Sequence, residues 1–206
     1  LRIGVQHASE RDTVRVLAGR GEYDLDGHHY RGTGNLNAEW RRVLDARTQV
    51  AAFLQDSRIR YVQSASRANS SDLFLYGAGG ARNLDEASRS VLFGSVFRGD
   101  ERATDGRSDG DRRLWGVRAG WQRALRADAD WYASASLQKS TYEQFNPIFL
   151  ELRQDTQMDL ALGVNWQFAQ SWSARPQLTY TRNDSRIALN DYGRYEFAVT
   201  LRRDFR

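Results

Sequence analysis

The chain has no cysteine, two prolines and one lysine, Lys139, among its 30 basic residues. The absence of thiols rules out disulfides and cysteine-ligated metal centres, so only non-covalent forces hold the fold. No apolar run approaches the ~20 residues that a membrane-spanning helix needs, and mean hydropathy is −0.69 with 27% charged residues. Helical spanning is therefore excluded. Low-complexity tracts and helical repeats are also missing, which leaves residues 1–206 as one architectural unit. In their place stand 17 glycines, nine tyrosines and six tryptophans, a composition that suits extended hairpins.

What the chain does contain is alternation. Tyr195, Phe197, Val199, Leu201 and Phe205 fall on one face of an extended segment, and Glu196, Ala198, Thr200, Arg202 and Asp204 on the other. Met158, Leu160, Leu162, Val164, Trp166 and Phe168 keep the same phase without a break against Asp159, Ala161, Gly163, Asn165 and Gln167. Similar faces are legible from Trp172 to Tyr180, from Trp131 to Leu137 and from Trp115 to Leu125. A barrel needs only every second residue to be apolar, so a hydrophilic average can conceal one. The expected fold is all-β: an antiparallel, transmembrane, up-and-down barrel of the Gram-negative outer membrane, with about 10–14 strands.

The strands are expected near 1–8, 13–23, 35–44, 48–63, 72–82, 88–98, 112–125, 130–142, 155–168, 172–182 and 194–205. The connectors between them alternate between short and long, as they do in barrels with short periplasmic turns and longer outer loops. Residues 24–34 are expected to form one of the long loops. Trp121, Trp131, Trp166, Phe168, Trp172 and Phe205 fall close to short turns and form the expected membrane girdle, where a ring stays apolar while its polar edge reaches water. Membrane lipid is thus one expected partner. The barrel-assembly machinery is another, engaged through the C-terminal strand Tyr195, Phe197, Val199, Leu201 and Phe205. The alternative is a soluble sandwich, which would need a second sheet to cover these faces.

A barrel must be exported, yet Leu1-Arg2-Ile3-Gly4-Val5 has neither a basic region nor an apolar stretch ahead of a cleavage site. Eleven segments are also an odd number for a bacterial barrel. The expectation is a chain that continues upstream in its precursor, with a complete ten- or twelve-stranded barrel as the alternative.

Residues expected to face the lumen are Arg112, Arg118, Asp130, Asp159, Arg175, Arg194, Glu196, Arg202 and Asp204, with Glu39. Arginine and carboxylate on neighbouring strands can pair bidentately and brace a wall, or the arginines can line a path for an anionic guest. No catalytic set is expected. His28 and His29, beside Asp24 and Asp26, form the best grouping, but adjacent residues on a strand point to opposite faces. No phosphate-binding loop opens a helix, so no cofactor is expected. The aromatics lie opposite the arginines, which disfavours nucleic acid as a partner.

The stretch Arg175-Pro176-Gln177-Leu178-Thr179-Tyr180-Thr181-Arg182-Asn183-Asp184-Ser185, then Leu189, Tyr192, Arg194 and the closing Arg202-Arg203-Asp204-Phe205, resembles the barrel end of the surface lipoprotein assembly modifiers. Tyr142, Arg153 and Asp155 match the same pattern. The resemblance implies a periplasmic helical-repeat domain followed by a barrel of about fourteen strands, which together deliver lipoprotein clients to the cell surface. It implies no enzymatic activity. The competing functions are an outer-membrane conduit or export porin, for example for an anionic polysaccharide, and a structural subunit of an envelope complex.

Overall fold

Each alternating stretch forms a strand, and each strand pairs with the one before it and the one after it. The computed structural model describes every residue except 88, 108 and 206. The strands are β1 (Arg2–Ala8), β2 (Asp12–Leu25), β3 (His28–Val43), β4 (Thr48–Tyr61), β5 (Ser71–Asn83), β6 (Ser90–Ala103), β7 (Arg112–Arg126), β8 (Ala129–Phe145), β9 (Leu152–Ala169), β10 (Trp172–Ser185) and β11 (Tyr192–Arg203). They make one eleven-stranded antiparallel sheet whose spatial order is the chain order. Among the described residues β1 pairs only with β2 and β11 only with β10.

The register sorts side chains onto two faces. Leu92, Trp121, Ala133, Leu162, Leu178 and Phe197 stand directly opposite one another from β6 to β11. A second row, Val14, Trp40, Ala52, Ala78, Val96, Val117, Leu137 and Met158, runs from β2 to β9. These rows form a continuous apolar band, which no described residue covers: Leu162 is 53% exposed and Val96 56%. A soluble sandwich would bury such residues under a second sheet, so that alternative fails. Among the described residues the buried hydrophobic set is only Leu114, Ala129, Tyr142 and Ile187.

The opposite face is concave and pairs bulk with glycine. Phe97 lies across from Gly116, Phe93 from Gly120, Phe53 from Gly77 and Tyr132 from Gly163. A Cβ built on Gly116 would come within 2.5 Å of the Phe97 ring, well inside van der Waals contact. Curvature crowds side chains on the inner surface, and a ring laid over a glycine of the next strand relieves that crowding.

The expected segments all form strands, but several run further toward the long-loop side than expected. β3 begins at His28 instead of 35, β6 reaches Ala103, β8 reaches Phe145, and β9 begins at Leu152. Beyond the apolar band both faces are mostly polar, so the alternation stops while backbone pairing continues. Position 88, where the sixth expected segment began, lies outside the described residues. The expected long loop 24–34 is instead a hairpin closed by Asp26-Gly27. Both residues have positive φ, 52° and 74°, as a two-residue turn matching strand twist requires.

Replacing Leu162 by Arg should cost about 2–4 kcal/mol in refolding titrations with lipid vesicles, because an unpaired charge would meet hydrocarbon. Ala161→Arg, on the inner face, should be milder. Equal penalties at the two positions would contradict the facing assignment.

Candidate functional site

The inner wall of β7–β11 is a ladder of polar side chains, and the register determines which of them meet. One row runs Arg118, Ser136, Asp159, Thr181, Arg194. Thr181 donates its hydroxyl to Asp159 at 2.8 Å, Ser136 does so at 3.3 Å, and the Gln157 amide donates at 3.0 Å. The Asp159 carboxylate is thus held by neutral donors, although two arginines share its row.

Nearer the long-loop end, charge is paired across strands. Arg112 on β7 grips Glu101 on β6 at 2.6–2.7 Å and donates to the Tyr142 hydroxyl at 3.3 Å. The Arg153 guanidinium on β9 lies 4.6 Å from the Tyr142 ring centre and pairs with Asp155 at 2.7 Å. Ser185 on β10 donates to the same carboxylate at 2.7 Å. Asp155 is 7% exposed and Tyr142 likewise 7%. A chain of contacts from Glu101 to Ser185 therefore clamps five consecutive strands. Cation–π contact and charge-assisted hydrogen bonds of this kind are strongest where water is partly excluded.

The segment after β10 is anchored at the same end. Asn183, which is buried, donates its amide to the Asn190 carbonyl at 2.6 Å, and Ile187 is 2% exposed. Arg182, on the outer face, pairs with Asp184 and Asp191 at 2.7 and 2.9 Å. The residues that carried the sequence resemblance, Tyr142, Arg153, Asp155 and Thr181 to Ser185, thus hold the loop-side ends of β8, β9 and β10 together.

The other expected lumen residues share this face but differ in their partners. Asp130 accepts from Asn165 at 2.7 Å and from Gln122 at 3.0 Å. Arg175 donates to the Tyr132 hydroxyl at 2.9 Å, with its guanidinium 4.7 Å from the ring centre. Arg202 pairs with its own neighbour Asp204 at 2.7 Å, and Glu196 stands across from Thr179. Arg112 and Arg202 meet carboxylates. Arg118, Arg175 and Arg194 do not, among the described residues. Glu39 pairs with Arg41 at 2.8 Å.

The expected girdle residues collect at the short-turn end. Trp121 and Trp131 meet edge to face at 4.7 Å, Phe168 lies 5.5 Å from Trp166 and 6.4 Å from Trp172, and Arg203 sits over Trp172 and Phe205. In the C-terminal strand, Tyr195 packs against Tyr180 with the rings tilted and their centres 4.7 Å apart.

Sequence reasoning placed His28 and His29 in a loop, whereas both lie on β3. His29 meets Glu22 at 3.0 Å and Asp24 at 3.3 Å. The Asp-Gly pair just before them was the signal for this hairpin. Sequence reasoning also missed the two-tyrosine clasp of Arg31, whose guanidinium lies 5.6 and 5.8 Å from the rings of Tyr23 and Tyr61. These residues stand directly opposite one another on three strands.

A family model described as surface lipoprotein assembly modifier matches residues 1–205. A comparison with curated proteins gives no match. Among solved structures, in-vitro folded OmpT, an outer membrane protein of Vibrio cholerae, is similar with a TM-score of 0.65 and 8% identity, over 98% of this chain and 63% of its own. Its loop L8 deletion mutant gives 0.64 and 10%, over 98% and 62%. The outer membrane channel DcaP of Acinetobacter baumannii gives 0.57 and 9%, over 97% and 60%. At these identities the likeness concerns the fold alone, an outer-membrane β-barrel. The chain spans under two thirds of the OmpT structures that it matches.

Asp155→Ala removes the acceptor shared by Arg153 and Ser185 and should cost about 1–3 kcal/mol. Urea unfolding of the lipid-embedded protein measures this. A midpoint unchanged from wild type would show that the clamp does not hold the strands.

Proposed function

The chain belongs to the surface lipoprotein assembly modifier family, and from that membership we propose that it is the barrel part of a device that helps deliver lipoproteins to the cell surface. The observation that carries this reading is the family match across residues 1–205. The architecture supports it in three ways. The apolar band anchors the sheet in the outer membrane. The polar inner wall of β7–β11 offers a hydrated surface to a lipoprotein client, and the clamp from Glu101 to Ser185 keeps the loop-side mouth rigid. β11, with its alternating apolar face and single neighbour β10 among the described residues, is the strand offered to the barrel-assembly machinery. The reading assigns no catalysis to the chain.

A second reading, an anion conduit, draws on Arg118, Arg175 and Arg194, inward cations without a carboxylate partner among the described residues. Planar-bilayer recording of the full protein separates the two. Silent or unsteady currents fit delivery, and a large, steady, anion-selective current fits the conduit.

Deleting the encoding gene should strip lipoproteins from the surface while their total amount stays constant, as read by protease shaving of intact cells followed by immunoblotting. Unchanged shaving patterns for every surface lipoprotein would overturn the delivery role.

A further inference from the structure

The outer face carries its charges differently at its two rims. At the long-loop rim most outward arginines are matched: Arg20 with Glu22, Arg58 with Asp56, Arg60 with Asp72, Arg182 with Asp184, and Arg102 and Arg113 with Glu143. Arg98 and Lys139 are the exceptions there. The short-turn rim is different. Arg42 on β3, Arg82 on β5, Arg123 on β7 and Arg203 on β11 lie on the outer face within three residues of their strand ends. All four are exposed, and none makes an ion pair among the described residues.

Carboxylates are present nearby but are engaged elsewhere. Asp12, directly across from Arg42, accepts from the Trp40 indole at 2.9 Å. Asp45, close enough to Arg82 to feel its charge, accepts from the Arg47 amide at 2.7 Å. In the turns, Arg47 pairs with Glu86 and Arg89 with Asp85, and Arg126 at the end of β7 pairs with Asp128, whereas Arg11 makes no ion pair among the described residues. Four unmatched cations thus lie together on the lipid-facing surface just above these turns.

Aromatic rings accompany Arg42, Arg123 and Arg203. Trp40-Arg41-Arg42 and Trp121-Gln122-Arg123 repeat one spacing, which puts an indole and a guanidinium on the same face of a strand two residues apart. Trp131 stands directly across from Arg123, and Arg203 lies 5.3 Å from the Trp172 ring centre. Indoles settle at the headgroup level of a bilayer, so these arginines sit at the depth of the phosphates. A guanidinium offers a planar fork of donors that matches two phosphate oxygens, which a lysine cannot do.

We propose that Arg42, Arg82, Arg123 and Arg203, the first and last two beside tryptophans, form a belt that binds the phosphates of anionic phospholipid headgroups in the leaflet at the short-turn rim. The belt needs only the membrane-spanning fold and is independent of what the barrel delivers.

The test is native mass spectrometry of the full-length protein, extracted in detergent and offered phosphatidylglycerol or phosphatidylcholine. Wild type should retain about tenfold more phosphatidylglycerol than phosphatidylcholine, an order of magnitude set by the attraction of several cations to anionic lipid. R42Q/R82Q/R123Q/R203Q should lose most of that preference, whereas R58Q/R60Q/R113Q at the opposite rim should keep it. Heat-modifiable migration on gels checks that each variant is folded. Should the belt variant fail to fold, wild type alone still decides, because equal retention of the two lipids overturns the proposal. Displacement of the lipid by excess inorganic phosphate, or equal loss in both variants, overturns it as well.

Discussion

A peptide group in hydrocarbon has no water to pair with, so every backbone N–H and C=O at membrane depth must find a partner within the protein. The ladder from β1 to β11 meets that demand for the strands between its two edges, while the outward edges of β1 and β11 have no strand partner among the described residues. The rest follows from it. Once the backbone is paired in an extended sheet, side chains must alternate, and each face is free to suit its own medium. This is why a chain with 27% charged residues can still present an unbroken apolar band.

The two faces solve different problems. On the outer face the demand is for area, and Leu, Val, Trp and Phe meet it without needing partners. On the inner face, curvature and polarity both have to be accommodated. Glycine opposite Phe93, Phe97 and Tyr132 relieves the curvature. The polarity is resolved by networks in which Asp155 and Asp159 each gather several donors. Arg118 and Arg194 on the wall, which meet no carboxylate among the described residues, flank such a network without closing it. A wall of this kind is rigid where the clamp lies and hydrated beyond it.

The fold was legible where alternation was clean. In β9, six apolar positions in phase fixed both the strand and its facing, and β10 and β11 were almost as clear. The strand extensions were not legible, because the polar continuation of β3 or β6 beyond the band has no pattern to read and is held by backbone pairing alone. The hairpin at Asp26-Gly27 was readable from its turn chemistry and was obscured by the polar residues around it. The inner wall was legible in its membership but not in its pairing. Arg118 and Asp159 share a row, yet Asp159 takes Thr181, Ser136 and Gln157 instead. Side-chain length and direction made that choice, and a sequence does not display them. Likeness to a family singled out Tyr142, Arg153 and Asp155, but the clamp that joins them was not legible, since Glu101 and Ser185 lie 84 positions apart.

The central claim is that hydrocarbon wets one face of this sheet and water the other. The chain has no cysteine, so a single introduced thiol can carry a nitroxide at a chosen site without background. In the full-length protein reconstituted in lipid vesicles, spin labels at positions 161 and 162 should respond oppositely to two relaxation agents. The label at 162 should be accessible to oxygen, which concentrates in the bilayer, and shielded from a water-soluble nickel chelate. The label at 161 should show the reverse preference. Matching accessibility at the two sites, or protection of position 162 from both agents, would contradict the account.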